Sequence, residues 1–447
     1  MHLLLDIKQR LDDGRILCRD LIEASLSAIE APGGEGPRAF LSVFANEARL
    51  EADRVDAARR AGGAMPPFAG IPIAVKDLFD TRGAVTRAGS RVLDGQAPAV
   101  SDADAVAALR RAGFIIVGKN HMTEFAYSGL GLNAHFSVPL NPFDRQTGRI
   151  PGGSSSGGAV AVADGMVPAA LGSDTGGSCR IPAAFCGIVG FKPTARRVST
   201  RGSVPLSETL DAVGTLARSV SCCAVLDDVL CSGSGVAEAP FPSDGLRLGV
   251  VEGHVDERLD ESVAAAYSAA LTRLSRQGVR LMPVRVPELA QLPQINRLGG
   301  FVGAEAFAWH RPFLASRADR YDPWILARFE AGRAQSAADY IDLLHARQHM
   351  MAAVHARSRS YDALVLPTVQ IAPPALSALA DPALAQAMNL LCLRNTSIAN
   401  FLDRPAISLP CHEPGSAPVG LMLVGETLQD RRLLAIAQGL EAILAST

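Results

Sequence analysis

Aromatic residues are scarce in this chain, at 5% of 447 residues, with two tryptophans. So few rings argue against a base-stacking platform for nucleic acid. Charge is thin as well. Charged residues make up 20%, the formal net charge is −2, and no long basic or acidic run occurs. No electrostatic partner such as nucleic acid or a lipid surface is implied. The eight cysteines include no Cys-x-x-Cys pair, which removes the usual zinc and redox signatures. They read as reduced, mostly buried thiols. Long apolar runs are missing too. Met1-His2-Leu3-Leu4-Leu5-Asp6 is too short for a secretory leader. The stretch from Ala159 to Gly172 is broken by Asp164 and falls short of a bilayer span. These absences point to a cytoplasmic protein with no membrane and no nucleic-acid partner.

What is present is apolar. Hydrophobic residues reach 48%, enough for a large core. Their spacing predicts helices over 3–30, 45–62 and 102–112, and short buried strands at Ile71–Val75 and Phe114–Val117. A helix start at Ala159–Ala163 and a strand at Val167–Leu171 follow. Beyond them the pattern predicts strands at 246–251, 279–285 and 363–367, with helices at 261–277 and 335–357. Helix-strand alternation of this kind is α/β architecture. The expected organisation is one domain over 1–447. It comprises N-terminal helices (1–66), a core (67–230), a linker-like Gly/Ser/Pro-rich loop (231–246) and a C-terminal α/β half (247–447).

Two glycine-serine loops stand out, Gly152-Gly153-Ser154-Ser155-Ser156-Gly157-Gly158 and Gly172-Ser173-Asp174-Thr175-Gly176-Gly177-Ser178. Upstream, Lys76 ends the apolar segment Gly70-Ile71-Pro72-Ile73-Ala74-Val75-Lys76-Asp77. Serine is a weak nucleophile until a base activates it. Glycine lets a ligand approach backbone N–H groups closely. The set therefore offers a hydroxyl nucleophile, a hydroxyl relay, an amine base and backbone donors for an oxyanion. A lysine base must be neutral, and its ordinary pKa of roughly 10.4 falls only when burial desolvates it. A position after an apolar strand provides such burial.

The stretch from Gly152 to Gly190-Phe191-Lys192-Pro193-Thr194 closely resembles the amidase signature family. Gly70 to Asp77, Gly118 to Ala126, Leu366-Pro367-Thr368, Pro405 to Pro410 and Pro418 to Leu423 extend the resemblance over nearly the whole chain. The resemblance implies a central mixed sheet covered by helices on both faces. It implies Ser178 as nucleophile, Ser154 in a cis peptide as bridging serine, and Lys76 as base. The N–H groups of Thr175, Gly176, Gly177 and Ser178 would form the oxyanion hole, with Ser155, Asp174 and Arg180 in support. No metal or organic cofactor is implied. The expected reaction is cleavage of the C–N bond of a small amide, anilide or carbamate (urethane) through an acyl-enzyme, with esterase activity on the side. One alternative is the A subunit of a tRNA-dependent amidotransferase. Another is a non-catalytic binding protein, against which the intact Lys76, Ser154 and Ser178 argue.

Competing motifs are weaker. Gly153 to Gly157 also satisfies G-x-S-x-G with Ser155 as nucleophile and His412 as a late histidine. That elbow needs a preceding strand, and 141–151 does not read as one. His345 and His349 have zinc spacing on a helix that also carries His355, but the metalloprotease glutamate is missing. Cys179, beside the nucleophile position, reads as small buried packing. Neither loop carries a P-loop ending.

For substrate contacts, the irregular 121–137 stretch is apolar through Phe125, Tyr127, Leu130, Leu132 and Phe136. This favours an aryl or alkyl group, so a neutral aryl amide or carbamate is expected to outperform an anionic one. Arg394, before Asn395-Thr396-Ser397, offers a carboxylate clamp instead, and with it the alternative of a small anionic, nitrogen-rich amide as substrate. Expected partners are a small-molecule amide or carbamate, with room for a homodimer.

Overall fold

A computed structural model describes residues 3–233 and 235–445. Met1 and His2 of the N-terminal segment, Ser234 of the 231–246 loop, and Ser446 and Thr447 lie outside the described residues. The other residues of 231–246 form no helix or strand, and the Phe241 N–H donates to the Ala435 carbonyl at 2.8 Å.

The strands are β1 (Phe40–Val43), β2 (Pro72–Lys76), β3 (Ile115–Asn120), β4 (Ala169–Asp174), β5 (Val189–Lys192), β6 (Ala212–Ala217), β7 (Arg247–Glu252), β8 (Arg280–Arg285), β9 (Ala363–Pro367), β10 (Ala406–Pro410) and β11 (Gly420–Val424). They form one 11-stranded sheet in the order β1-β3-β2-β4-β6-β5-β10-β11-β9-β7-β8. β2 runs parallel to both β3 and β4, and β7 parallel to β8 and β9. The remaining pairs are antiparallel. The fold is thus mixed α/β, a large central sheet flanked by helices. Strands from 67–230 and from 247–447 share that sheet through the β5–β10 pair.

Local chemistry explains these elements. Every residue of β2 is buried, as expected of a parallel strand covered on both faces. Pro72 opens it, where a missing N–H is tolerated. Helix Ala337–Ser358 starts on a capping box between Ser336 and Asp339. The helical periodicity over 3–30 divides into Leu4–Asp12 and Cys18–Ile29. Gly14 between them takes φ 67°, which an L side chain disfavours.

Two strands run further than their sequence suggests. β3 continues through Gly118 to Asn120, because β1 crosses so closely that a Cβ there would meet the Ser42 carbonyl oxygen at 2.3 Å. β4 continues to Asp174, so Gly172-Ser173-Asp174 is strand rather than loop, paired with β6 up to Ala212. β2 and β4 are parallel neighbours, so their C-terminal ends open at the same sheet edge. Ligands of α/β sheets gather at such edges.

Candidate active site

β2 delivers Lys76 to that edge, and β4 delivers Ser173 and Asp174 beside it. The Lys76 side chain is buried, at 1% exposure. Its Nζ donates to Ser154 Oγ at 2.7 Å and to Ser173 Oγ at 2.8 Å. Burial pushes the ammonium down to about 8, against the pull of Cys179, Asp174 and Asp211. Lys119 differs: it is also buried, but its Nζ lies 3.2 Å from Asp77 Oδ1. Lys76 is therefore held by hydroxyls, where Lys119 is held by a carboxylate.

Ser154 follows a cis Gly153-Ser154 peptide. The turn is fixed on both sides: Gly153 N–H donates to the Gly129 carbonyl at 2.8 Å, and the Ser154 carbonyl accepts from Thr123 N–H at 3.2 Å. Ser155 N–H then donates to the Ser178 carbonyl at 3.1 Å, which ties the two glycine-serine loops together. Ser155 itself precedes helix Ser156–Ala163, and its Oγ donates to the Ser173 carbonyl at 3.4 Å. Its hydroxyl turns into the protein, whereas Ser178 lines an apolar cavity at this edge.

The loop carrying Ser178 is built around Asp174. Its carboxylate accepts from Gly177 N–H (2.8 Å), Cys179 N–H (3.1 Å), Arg180 Nε (3.0 Å) and Nη2 (2.8 Å), and Asn400 Nδ2 (3.0 Å). Desolvation would raise this acid, but Arg180, joined by Lys192 and Asn400, holds the carboxyl down at about 2. Arg180 also donates to the Thr396 carbonyl at 2.9 Å and to Asn400 Oδ1 at 2.7 Å. Thr396 Oγ1 donates to the Gly176 carbonyl at 2.6 Å. Gly177 adopts φ 139°, and a Cβ there would meet Thr396 Oγ1 at 2.2 Å. Only glycine fits so close an approach. Thr175 Oγ1 donates to Asp211, a half-buried acid that desolvation raises to about 6.

The expected oxyanion donors divide. Thr175, Gly176 and Ser178 line the cavity, whereas the Gly177 N–H is engaged by Asp174. The expected substrate residues divide as well. Tyr127 lines the cavity. Phe125 does not: at φ 48° it turns inward and packs against Trp309, His310, Tyr321 and Phe329. Leu130 lies in a second core with Ile181 and Phe185, and Leu132 packs against that core. Arg394 points elsewhere, its Nε donating to the His254 carbonyl at 2.9 Å and its Nη2 to Glu257 at 2.6 Å. On their helix, His345 and His349 are both exposed.

Sequence reading missed Ser173, the second hydroxyl on Lys76, and the wall from helix Pro382–Phe401. The signal for that wall was available: Asn395, Thr396 and Asn400 are polar residues within an apolar helical stretch, and all three are buried. The cavity measures about 260 Å³, walled by Leu206, Leu210, Phe301, Val302, Leu393 and Phe401, with Arg328 among them.

The sequence model of the family described as Amidase matches residues 20–434. A 2-amino-5-chloromuconic acid deaminase of Comamonas testosteroni is 36% identical over 402 residues, 89% of this chain and 86% of that protein. The A subunit of the Glutamyl-tRNA(Gln) amidotransferase of Synechococcus sp. (strain CC9311) is 35% identical, over 97% of this chain and 95% of that one. A crystal structure of an amidase superposes with a TM-score of 0.89 at 31% identity, covering 99% of both chains. Among the described residues, no helix is long and apolar enough to cross a membrane.

Proposed function

The chain belongs to the amidase family and is an amidase acting on carbon–nitrogen bonds other than peptide bonds, and from that premise we propose that it hydrolyses a small acyl amide, anilide or carbamate through an acyl-enzyme on Ser178. The observation that carries this reading is the 2.7 Å contact between Lys76 Nζ and Ser154 Oγ in a buried setting. A neutral Lys76 accepts the proton of Ser154 as Ser154 takes that of Ser178. Ser178 Oγ attacks the acyl carbon, and the oxyanion forms against the backbone N–H groups of the 175–178 loop. The same relay returns the proton to the departing nitrogen. Water then releases the acyl group by the reverse route. An alkoxide leaves more easily than an amine, so some esters belong to the same chemistry.

Asp174 and Arg180 act on the loop's shape rather than on the reacting atoms. The sequence-based preference for a neutral aryl group rested on Phe125, Tyr127, Leu130, Leu132 and Phe136, of which Phe125 and Leu130 lie in the core, Leu132 packs against it and Tyr127 lines the cavity. The acid acted on by the muconic relative carries a carboxyl group by its name, which supports a different acyl partner. A second reading is supported by the amidotransferase relative: the same site working inside a multi-chain complex.

Reaction with a serine-directed fluorophosphonate, followed by peptide mapping, tests the proposal. Label on Ser178, lost in Lys76→Ala, is the expected result. Label on Ser155 would replace it with the elbow mechanism. Absence of label on the purified chain would favour the multi-chain reading.

A further inference from the structure

Resting on the hydrolytic reading above, we propose that Asp211 is a positioning residue for the reaction: by holding the Thr175 hydroxyl it aims the Thr175 and Gly176 N–H groups at the oxyanion, and it ties that aim to the wall of the substrate cavity. The register of the sheet brings the two residues together. β4 ends at Asp174, which faces Ala212, the first residue of β6. One antiparallel step further, Thr175 faces Asp211. Thr175 Oγ1 donates to Asp211 Oδ1 at 2.5 Å, and Asp211 Oδ2 accepts from the Leu206 and Ser207 N–H groups at 3.0 and 3.1 Å. One carboxylate oxygen therefore holds the nucleophile loop. The other holds the segment whose Leu206 and Leu210 line the cavity.

The neighbouring peptide groups of the turn have anchors of their own. The Asp174 carbonyl accepts from Asn400 Nδ2 at 3.0 Å, and the Gly176 carbonyl from Thr396 Oγ1. The Gly177 N–H donates to the Asp174 carboxylate, and the Ser178 carbonyl accepts from Ser155. The Thr175 main chain has no such anchor among the hydrogen bonds of the described residues, so its hydroxyl is the tether. Threonine is branched at Cβ, so fixing Oγ1 fixes χ1 and the peptide beside it. Preorganised N–H groups stabilise an oxyanion only when they point at it before the charge forms. The cavity wall is fastened as well. Ser207 Oγ and Thr209 Oγ1 donate to Glu305 at 2.6 and 2.5 Å. Glu305 belongs to helix Gly300–Arg317, whose Phe301 and Val302 also line the cavity. Asp211 is thus the joint between a braced wall and the one residue of the turn that lacks a main-chain anchor.

Phosphonylation rates of the purified chain test this without a known substrate. A fluorophosphonate forms a bond from Ser178 Oγ to phosphorus and expels fluoride, while the serine proton passes to the Lys76 relay. The phosphonyl oxygen takes the oxyanion position. Thr175→Val keeps the shape of the side chain and removes its hydrogen bond. Its limiting labelling rate should fall about tenfold to hundredfold, with the half-saturating concentration unchanged. Thr175→Ser should restore the rate to within about threefold. Asp211→Ala should slow labelling as much and also raise the half-saturating concentration, because the wall at Leu206 and Leu210 loses its tether. The double variant should label no more slowly than Asp211→Ala, since both changes remove one interaction. Affinity for trifluoroacetophenone, whose adduct on Ser178 is an oxyanion, should fall by the same factor as the rate. Wild-type labelling in Thr175→Val overturns the proposal. So does a rate loss without loss of ketone affinity, or additive losses in the double variant. Denaturant titration checks that each variant is folded, and Thr175→Ala replaces Thr175→Val if that one is not. A wild-type chain that takes no label refutes the hydrolytic reading and this inference with it. Label on Ser178 that is indifferent to Thr175 and Asp211 refutes this inference alone.

Discussion

Lys76 offers the sharpest test, because under the proposed mechanism its protonation sets the fraction of active enzyme. Burial lowers its pKa to about 8. A base with a lowered pKa is neutral above that value and charged below it. At pH 7 about one molecule in ten then carries neutral lysine, against about one in 2,500 for a free lysine of pKa 10.4. Burial thus raises the competent fraction about 200-fold at neutral pH. The pH profile of kcat/KM, measured by ammonia release from a simple amide, should climb close to tenfold per unit below about pH 7.5. It should level near about pH 9. Lys76→Ala should remove the climb and cost about a thousandfold or more in rate. A flat profile between about pH 6.5 and about pH 9.5 would refute the reasoning, as would an inflection that survives the substitution. Either would mean that the amine is a structural cation and that another group moves the proton.

Two further outcomes follow from contacts around the loops. Arg180→Met leaves the Asp174 carboxylate buried without its partner, both side chains being 0% exposed, and should destabilise the fold by about 3–5 kcal/mol. Denaturant titration reads this, and wild-type stability in the variant would mean the pair does not hold the loop. Arg394→Ala breaks an ion pair whose glutamate is 56% exposed, so stability should change by less than about 1 kcal/mol. The ratio of anionic to neutral amide turnover should not move, and a shift would place Arg394 back at the substrate.

The candidate catalytic side chains were legible because their chemistry needs short, unusual stretches. Lys76 ends an unbroken apolar strand, and the serines sit among glycines that no helix or strand interior favours. The sheet was legible where strands are buried on both faces, as in β2 and β9, since their apolar runs are continuous. What stayed hidden is long-range. Phe125 looks like a pocket aromatic in sequence, and only its left-handed backbone turns it into the core. Arg328 looks like any charged residue on an exposed helix. Its setting depends on Tyr127, some two hundred residues upstream, as well as on Trp324 of its own helix. Arg394 looked available because its partners, His254 and Glu257, come from a loop with no signal of its own.

Arg180 reaches Asn400 and the Thr396 carbonyl across 220 and 216 residues of chain. During synthesis at about 5–20 residues per second, the segment bearing the nucleophile emerges about 10–45 s before its brace. The lysine and both serines can therefore be outside the ribosome while the turn proposed to receive the oxyanion is still unsupported. Under the proposed mechanism a nascent chain should stay inactive until that brace has emerged, and a message truncated before codon 396 should yield a product that holds Lys76, Ser154 and Ser178 without the contacts that shape the 175–178 turn.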